Sequence, residues 1–304
     1  MSLFALLAVL LLEHFYPATP QRVQALKLPL HLMAEQLNAG QHAHGKLAWF
    51  AAVVPAVLVT GVLYNVVYHV SAWLGWFVDI GVLYYGLQFR QSTLAANAIY
   101  VALLRNEPGL ARARFQQWQH HSPPTDKSIA DATIHQLFSD ALYELFGVIF
   151  WFVLLAHWGP IGVVLYRLSH AVVTHWQPES HGTAFTQFGL NMTHWLDWLP
   201  ARGLALSFAI GGHFEDAMYH WRNQPKHAVN TNLHIVLATG AGALGIHTDL
   251  MNDEHNANMA YNIEIEQAET ASAQDIANAI SLIWRALAAW LLVILLVELG
   301  HFQT

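Results

Sequence analysis

The chain has 304 residues, of which 55% are hydrophobic and only 11% charged. Soluble domains are typically about a quarter charged, so this composition excludes a disordered chain and weighs against an ordinary cytosolic enzyme. A formal net charge of −7 with 13 Lys+Arg argues against a nucleic-acid partner, and the absence of cysteine excludes disulfides, thiolate metal sites and thiol catalysis.

A membrane-spanning helix needs about 20 mostly apolar residues. Residues 1–16 form a shorter apolar run. They lack the basic n-region and the small-residue cleavage site of a signal peptide, so a retained membrane helix is expected, with Phe15 and Tyr16 at the interface. Leu47 to Val70 is the clearest span, and residues 71–89 follow after a very short turn. Residues 93–118 show helical periodicity broken at Pro108. Ser122-Pro123-Pro124 reads as a linker. Residues 126–145 read as an amphipathic helix with Ile134, Phe138, Leu142 and Leu145 on one face. Residues 146–166 make a third large span, interrupted at Gly159-Pro160. A weaker one, 195–212, contains Asp197, Pro200 and Arg202.

Residues 234–246 are apolar but short and Gly-rich, which suits a half-inserted or bundle-buried helix. The stretch 249–275 carries Asp249, Asp253, Glu254, Glu264, Glu266, Glu269 and Asp275 with no Lys or Arg, a solvated acidic segment. Residues 282–299 supply the last span. The expected fold is therefore all-α: a polytopic membrane bundle of five to six spans in one domain over residues 1–304. Cytoplasmic helical segments are expected at 90–145 and 213–281. With both termini periplasmic, every Lys and Arg except Arg167 and Arg202 lies on the cytoplasmic side, as the positive-inside rule requires. The bilayer of a bacterial inner membrane is the expected environment.

Several motifs invite chemistry. Gly40-x-x-x-x-Gly45-Lys46 resembles a phosphate-binding loop, but Leu47 stands where a magnesium ligand belongs and no strand precedes it. A polar turn is the simpler explanation. Histidines gather with acids at His247, Asp249, Asp253, Glu254 and His255. A second group is His213, Glu215, Asp216 and His220, with the two histidines placed on one helical face, and a third is His42 with His44. No HExxH or comparable spacing is present, so no metal site is assigned. Charge inside a span is the more specific signal, because it is costly and faces a cavity or a partner. Asp79 and Arg202 are the expected pair, as a packing ion pair or as part of a transport path.

Four stretches carry a resemblance: MSLFALLAVLLLEHF at the start, VIFWFVLLAHWGPIGVVLYRL at 148–168, LDWLPARGLALSFAIGG at 196–212 and AGALGI at 241–246. In order and spacing the chain resembles the CobD/CbiB family of membrane proteins and its relative AmpE. The resemblance implies one of two roles. The CobD/CbiB enzymes join aminopropanol, or its phosphate, to adenosylcobyric acid by ATP-dependent amide ligation. AmpE is an inner-membrane protein linked to β-lactamase induction through cell-wall recycling.

The departures from the enzyme pattern bear on that choice. Phe15-Tyr16-Pro17-Ala18-Thr19-Pro20 replaces an N-terminal Gly-Asp-Pro…His-Pro-Val pattern. Ser139 to Gly147 replaces Glu-Asn-x-x-Asp-Gly, keeping shifted acids and the glycine. Ser169-His170-Ala171-Val172-Val173-Thr174 replaces Asn-Thr-Leu-Asp-Ser-Met, and Thr193-His194 replaces paired aspartates. An ATP-dependent ligase needs carboxylates for magnesium. The expectation is thus an AmpE-like non-ligase, an envelope-signalling or accessory factor with a small-molecule or protein partner. The alternative is a divergent adenosylcobinamide-phosphate synthase using magnesium and ATP. For that alternative Asp140, Glu144 and Asp197 are the candidate catalytic acids. Tyr166, Arg167, Arg202 and Asn232 are the candidate ligand-binding residues, where Gly159-Pro160, Pro200 and the 234–246 segment are expected to break regular helix.

Overall fold

A computed structural model describes residues 2–16, 27–37, 42–119, 129–176, 182–223, 230–247 and 269–301. Its elements are α1 (Ser2–Phe15), α2 (Lys27–Leu37), α3 (His42–Val70), α4 (Ala72–Gly86), α5 (Phe89–Leu104), α6 (Pro108–Gln119), α7 (Ile129–Asp140), α8 (Gly147–Leu154), α9 (Ile161–His175), α10 (Thr183–Gly211), α11 (Phe214–Asn223), α12 (Thr231–Leu244) and α13 (Ala273–His301). A π-helical turn, Ala141–Phe146, joins α7 to α8 without a break. The one non-helical pairing among the described residues is a two-residue parallel ladder, β1 (Ile246–His247) with β2 (Glu269–Thr270).

Among the described residues, three stretches are long and apolar enough to cross a membrane: His44–Val70, Ile129–Leu154 and Ala273–Gly300. Leu3–Phe15 is apolar but shorter. On α3, Leu58, Val59, Val62, Leu63, Val66 and Val70 are all exposed. Water does not favour so large an apolar face, whereas hydrocarbon does.

The chain divides into two compact units, one of Met1–Arg90, Glu144–Pro200 and Ile294–Thr304, the other of Gln91–Tyr143 and Ala201–Val293. In the first, a core of Leu30, Ala34, Ala48, Trp49, Val53, Ala171, Val172, Trp176 and Phe185 joins α2, α3, α9 and the start of α10. The Trp176 indole N–H donates to the Leu30 carbonyl at 2.9 Å, so a large ring is buried with its polar atom satisfied. Gly45 lies inside α3, where a Cβ would run into the Phe185 backbone. Close helix crossing, not phosphate binding, explains that glycine. Gly40 lies outside the described residues. Glu298 of α13 accepts the Leu3 N–H at 3.0 Å, capping one of the unpaired donors at the α1 N-terminus.

In the second unit, the Phe138 and Phe208 rings pack at 4.9 Å between centroids. A Cβ on Gly240 would strike Phe138, so glycine lets α12 approach α7. The Trp290 indole donates to Ser207 Oγ at 2.8 Å. Arg285 Nη1 donates to the Gly211 carbonyl at 2.6 Å. That carbonyl is at the α10 C-terminus, where helix dipoles favour a cation.

Several sequence expectations are corrected here. The span at 146–166 is not one helix. The apolar helix is Ile129–Leu154, built from the expected amphipathic segment plus α8, and it stops before Gly159-Pro160. Gly159 has φ 77°, a left-handed conformation that ends a helix cheaply only at glycine. Pro200 does not break α10. Proline removes the bond to the carbonyl four residues back, here that of Leu196, and the Trp151 indole N–H donates to this same carbonyl at 3.0 Å. The 231–244 segment is a regular helix whose residues 235–243 are all buried, the bundle-buried alternative. His213 and His220 do not share a face: α11 begins after His213, which is exposed, while His220 is buried. Apart from His247, Glu269 and Asp275, the acidic stretch and its histidine cluster fall within residues 248–268, outside the described residues.

Candidate polar sites on the two units

In the first unit, α9 presents Tyr166 and His170 four residues apart, one helical turn, toward Asp197 of α10. The Tyr166 hydroxyl donates to Asp197 Oδ1 at 2.7 Å, and His170 Nε2 lies 2.9 Å from the same oxygen. Tyr166 and Asp197 are buried; the His170 side chain is 20% exposed. A carboxylate oxygen only accepts, so Nε2 carries the proton that points to it. The two rings lie 4.6 Å apart. Gly147, at the start of α8, makes room for the phenol, since a Cβ there would overlap the Tyr166 ring and hydroxyl. Arg167 does not join this group; its Cγ lies on the side of Gly86. Glu144 belongs to the same unit and acts electrostatically on Glu13, whose carboxylate is buried and accepts the Arg90 N–H at 3.0 Å.

In the second unit, Asp140 accepts from Ser92 Oγ and, at 2.7 Å, from Gln136 Nε2. Three residues on, within the π turn, the Tyr143 hydroxyl accepts from Asn230 Nδ2 at 2.8 Å. Asn230 caps α12 by accepting the Leu233 N–H at 3.2 Å. Two residues further, the buried Asn232 accepts from Arg202 Nη1 at 3.1 Å. Tyr143, Arg202 and Asn232 therefore gather at the α12 N-terminus, where a guanidinium and the positive end of a helix dipole favour an anion. Asp131, also buried, lies on α7 with Asp140.

Of the candidate residues named from the sequence, which were not paired there, Tyr166 meets Asp197 and Arg202 meets Asn232. Sequence reasoning missed His170, Tyr143 and Asn230. His170 was legible as the residue one turn after Tyr166, and Asn230 as an N-cap before an apolar helix. Asp79 and Arg202, expected as a pair, belong to different units, and Arg202 donates to Asn232 within its own. Among the described residues no group of three or more His, Asp or Glu is arranged to hold a metal ion.

A family model described as CobD/Cbib protein matches residues 8–283. The chain belongs to the CobD/CbiB family. It is 30% identical over 264 residues to the cobalamin biosynthesis protein CobD of Stutzerimonas stutzeri, covering 84% of this chain and 82% of that one. A protein of the same name from Chromobacterium violaceum is 30% identical over 175 residues, 56% of this chain and 54% of that one. No solved structure matches the chain.

These CobD/CbiB relatives overturn the expectation of an AmpE-like signalling factor, since both carry names from cobalamin biosynthesis. That expectation rested on acids missing from a few short stretches. Asp131, Asp140 and Asp197 are nonetheless held in hydrogen-bonded or buried positions by neighbouring helices, which motif-by-motif comparison does not register.

Proposed function

We propose that this protein acts in cobalamin biosynthesis as an ATP-dependent amide ligase, joining aminopropanol or its phosphate to adenosylcobyric acid. We place it as a multi-pass protein of the bacterial inner membrane, crossing five or six times through α1, α3, α4, α7–α8, α10 and α13. The observation that carries this is the similarity to a cobalamin biosynthesis protein over 84% of the chain. The long apolar helices support the membrane placement.

In this reading Asp140 and Arg202 of the second unit would hold the magnesium and the phosphates of the nucleotide. Asp140, set by Ser92 and Gln136, offers hard oxygen to a divalent cation. Arg202, set by Asn232 at the α12 N-terminus, offers a fork of donors to phosphate oxygens. Bound ATP would supply the activation that turns a carboxylate into an acylating group. The chain's own residues hold the charges: Arg202 stabilises negative charge that builds on phosphate, and its hydrogen bond to Asn232 keeps the guanidinium in place before substrate arrives.

Purified protein in detergent, given adenosylcobyric acid, aminopropanol phosphate, ATP and magnesium, is expected to form the amide, detected by mass spectrometry. Arg202→Gln should lower the rate by roughly a hundredfold, the usual cost of removing one preorganised charge donor. Absence of product from the intact protein, together with failure to restore cobalamin synthesis in a strain lacking its own CobD-type enzyme, would refute the assignment.

A further inference from the structure

Three arginines stand outside every interaction described so far. Arg105 follows α5, and Arg112 and Arg114 lie on α6; all three are exposed. None has a side-chain hydrogen bond or ion pair among the described residues. The segment is also partly apolar at its surface, because Val101, Leu104 and Leu110 are exposed as well. Between Val101 and Gln119 the single acid is Glu107, so this tip is positive in a chain whose formal net charge is −7.

The other side of α6 is anchored. Ala111 and Phe115 are buried, and α6 packs on α7. α7 is the first half of Ile129–Leu154, one of the stretches able to cross a membrane. Arg112 and Arg114 thus ride on a helix fixed to a spanning element, with the exposed Leu110 on the same helix and Arg105 just before it. A protein partner of opposite charge would leave the leucines unexplained, and a purely apolar partner would leave the guanidiniums unpaired. An anionic lipid surface satisfies both, with phosphates for the guanidiniums and the acyl boundary for the leucines.

We propose that the tip formed by the end of α5 and by α6 binds anionic phospholipid headgroups through Arg105, Arg112 and Arg114. This rests on the membrane placement given above but not on the ligase activity. The tip anchors the second unit to the negatively charged cytoplasmic leaflet, whose attraction acts within about a Debye length, roughly 8 Å at physiological salt.

The test uses the full-length chain in nanodiscs of phosphatidylcholine mixed with phosphatidylglycerol, with the retained lipids counted by native mass spectrometry. The intact protein should retain phosphatidylglycerol in preference to phosphatidylcholine, and added salt should weaken that preference. Each Arg→Gln change should reduce it about fivefold, from the attraction expected of one cation near such a surface. The triple Arg→Lys variant should keep most of it. Single variants serve if the triple Gln variant loses its helical circular dichroism. A chain that stays in the bilayer without preferring phosphatidylglycerol, or whose preference survives the Gln changes, overturns the headgroup assignment alone. A chain released from membranes by alkaline washing overturns the membrane placement with it.

Discussion

Asp197 Oδ1 receives two hydrogen bonds, from Tyr166 and from His170, in a buried setting. A buried carboxylate that loses a donor bears the cost of an unsatisfied charge, so Tyr166→Phe should destabilise the protein by about 1–3 kcal/mol, measured by unfolding in detergent. Gly147→Ala should cost a similar amount by overpacking, about 1–3 kcal/mol, because its new methyl would displace the same phenol. The two changes attack one contact. Their double variant should therefore cost less than the sum of the singles, and strict additivity would show that Gly147 does not act through Tyr166. Tyr166 and Asp197 were each named from the sequence, but not as a pair. His170 was legible only as the residue one turn after Tyr166, since composition cannot say which of 20 histidines face an acid across a helix pair.

The helix from Ile129 to Leu154 contains a π turn between Asp140 and Gly147. Such turns add one residue to an α-helix and are often found at functional sites. This one carries Tyr143 and Glu144, within the stretch where the enzyme pattern and this sequence differ. Deleting Ala141 should turn the π turn into regular α-helix and take Tyr143 away from Asn230. Circular dichroism should stay helical while amide formation falls on the order of a hundredfold, the cost of small misplacements at a reacting centre. Unchanged activity would mean the π turn serves packing only. The boundary set by proline at Pro108 was legible in the sequence, as was the very short turn after Val70. That the helix expected over 126–145 belongs to the long apolar stretch Ile129–Leu154 was not, because Asp131, Ser139 and Asp140 lower its local hydropathy although neighbouring helices shield them.

On the scale of the molecule, helical class and apolar character followed from composition, since a chain with so little charge has few ways to fold in water. The division into two units interleaved along the sequence did not follow, because it depends on which helices pack and not on any linker. Within the first unit, α1 is capped by Glu298 of α13, two helices separated by nearly the whole chain. Glu298→Gln should weaken that cap by about 0.3–1 kcal/mol, read as faster amide exchange at the beginning of α1. The contact also sets an order for biogenesis: α1 cannot acquire this cap until Glu298 has been made. A ribosome stalled before Glu298 would leave the Leu3 amide exchangeable, so protection of that amide should appear only once α13 is complete.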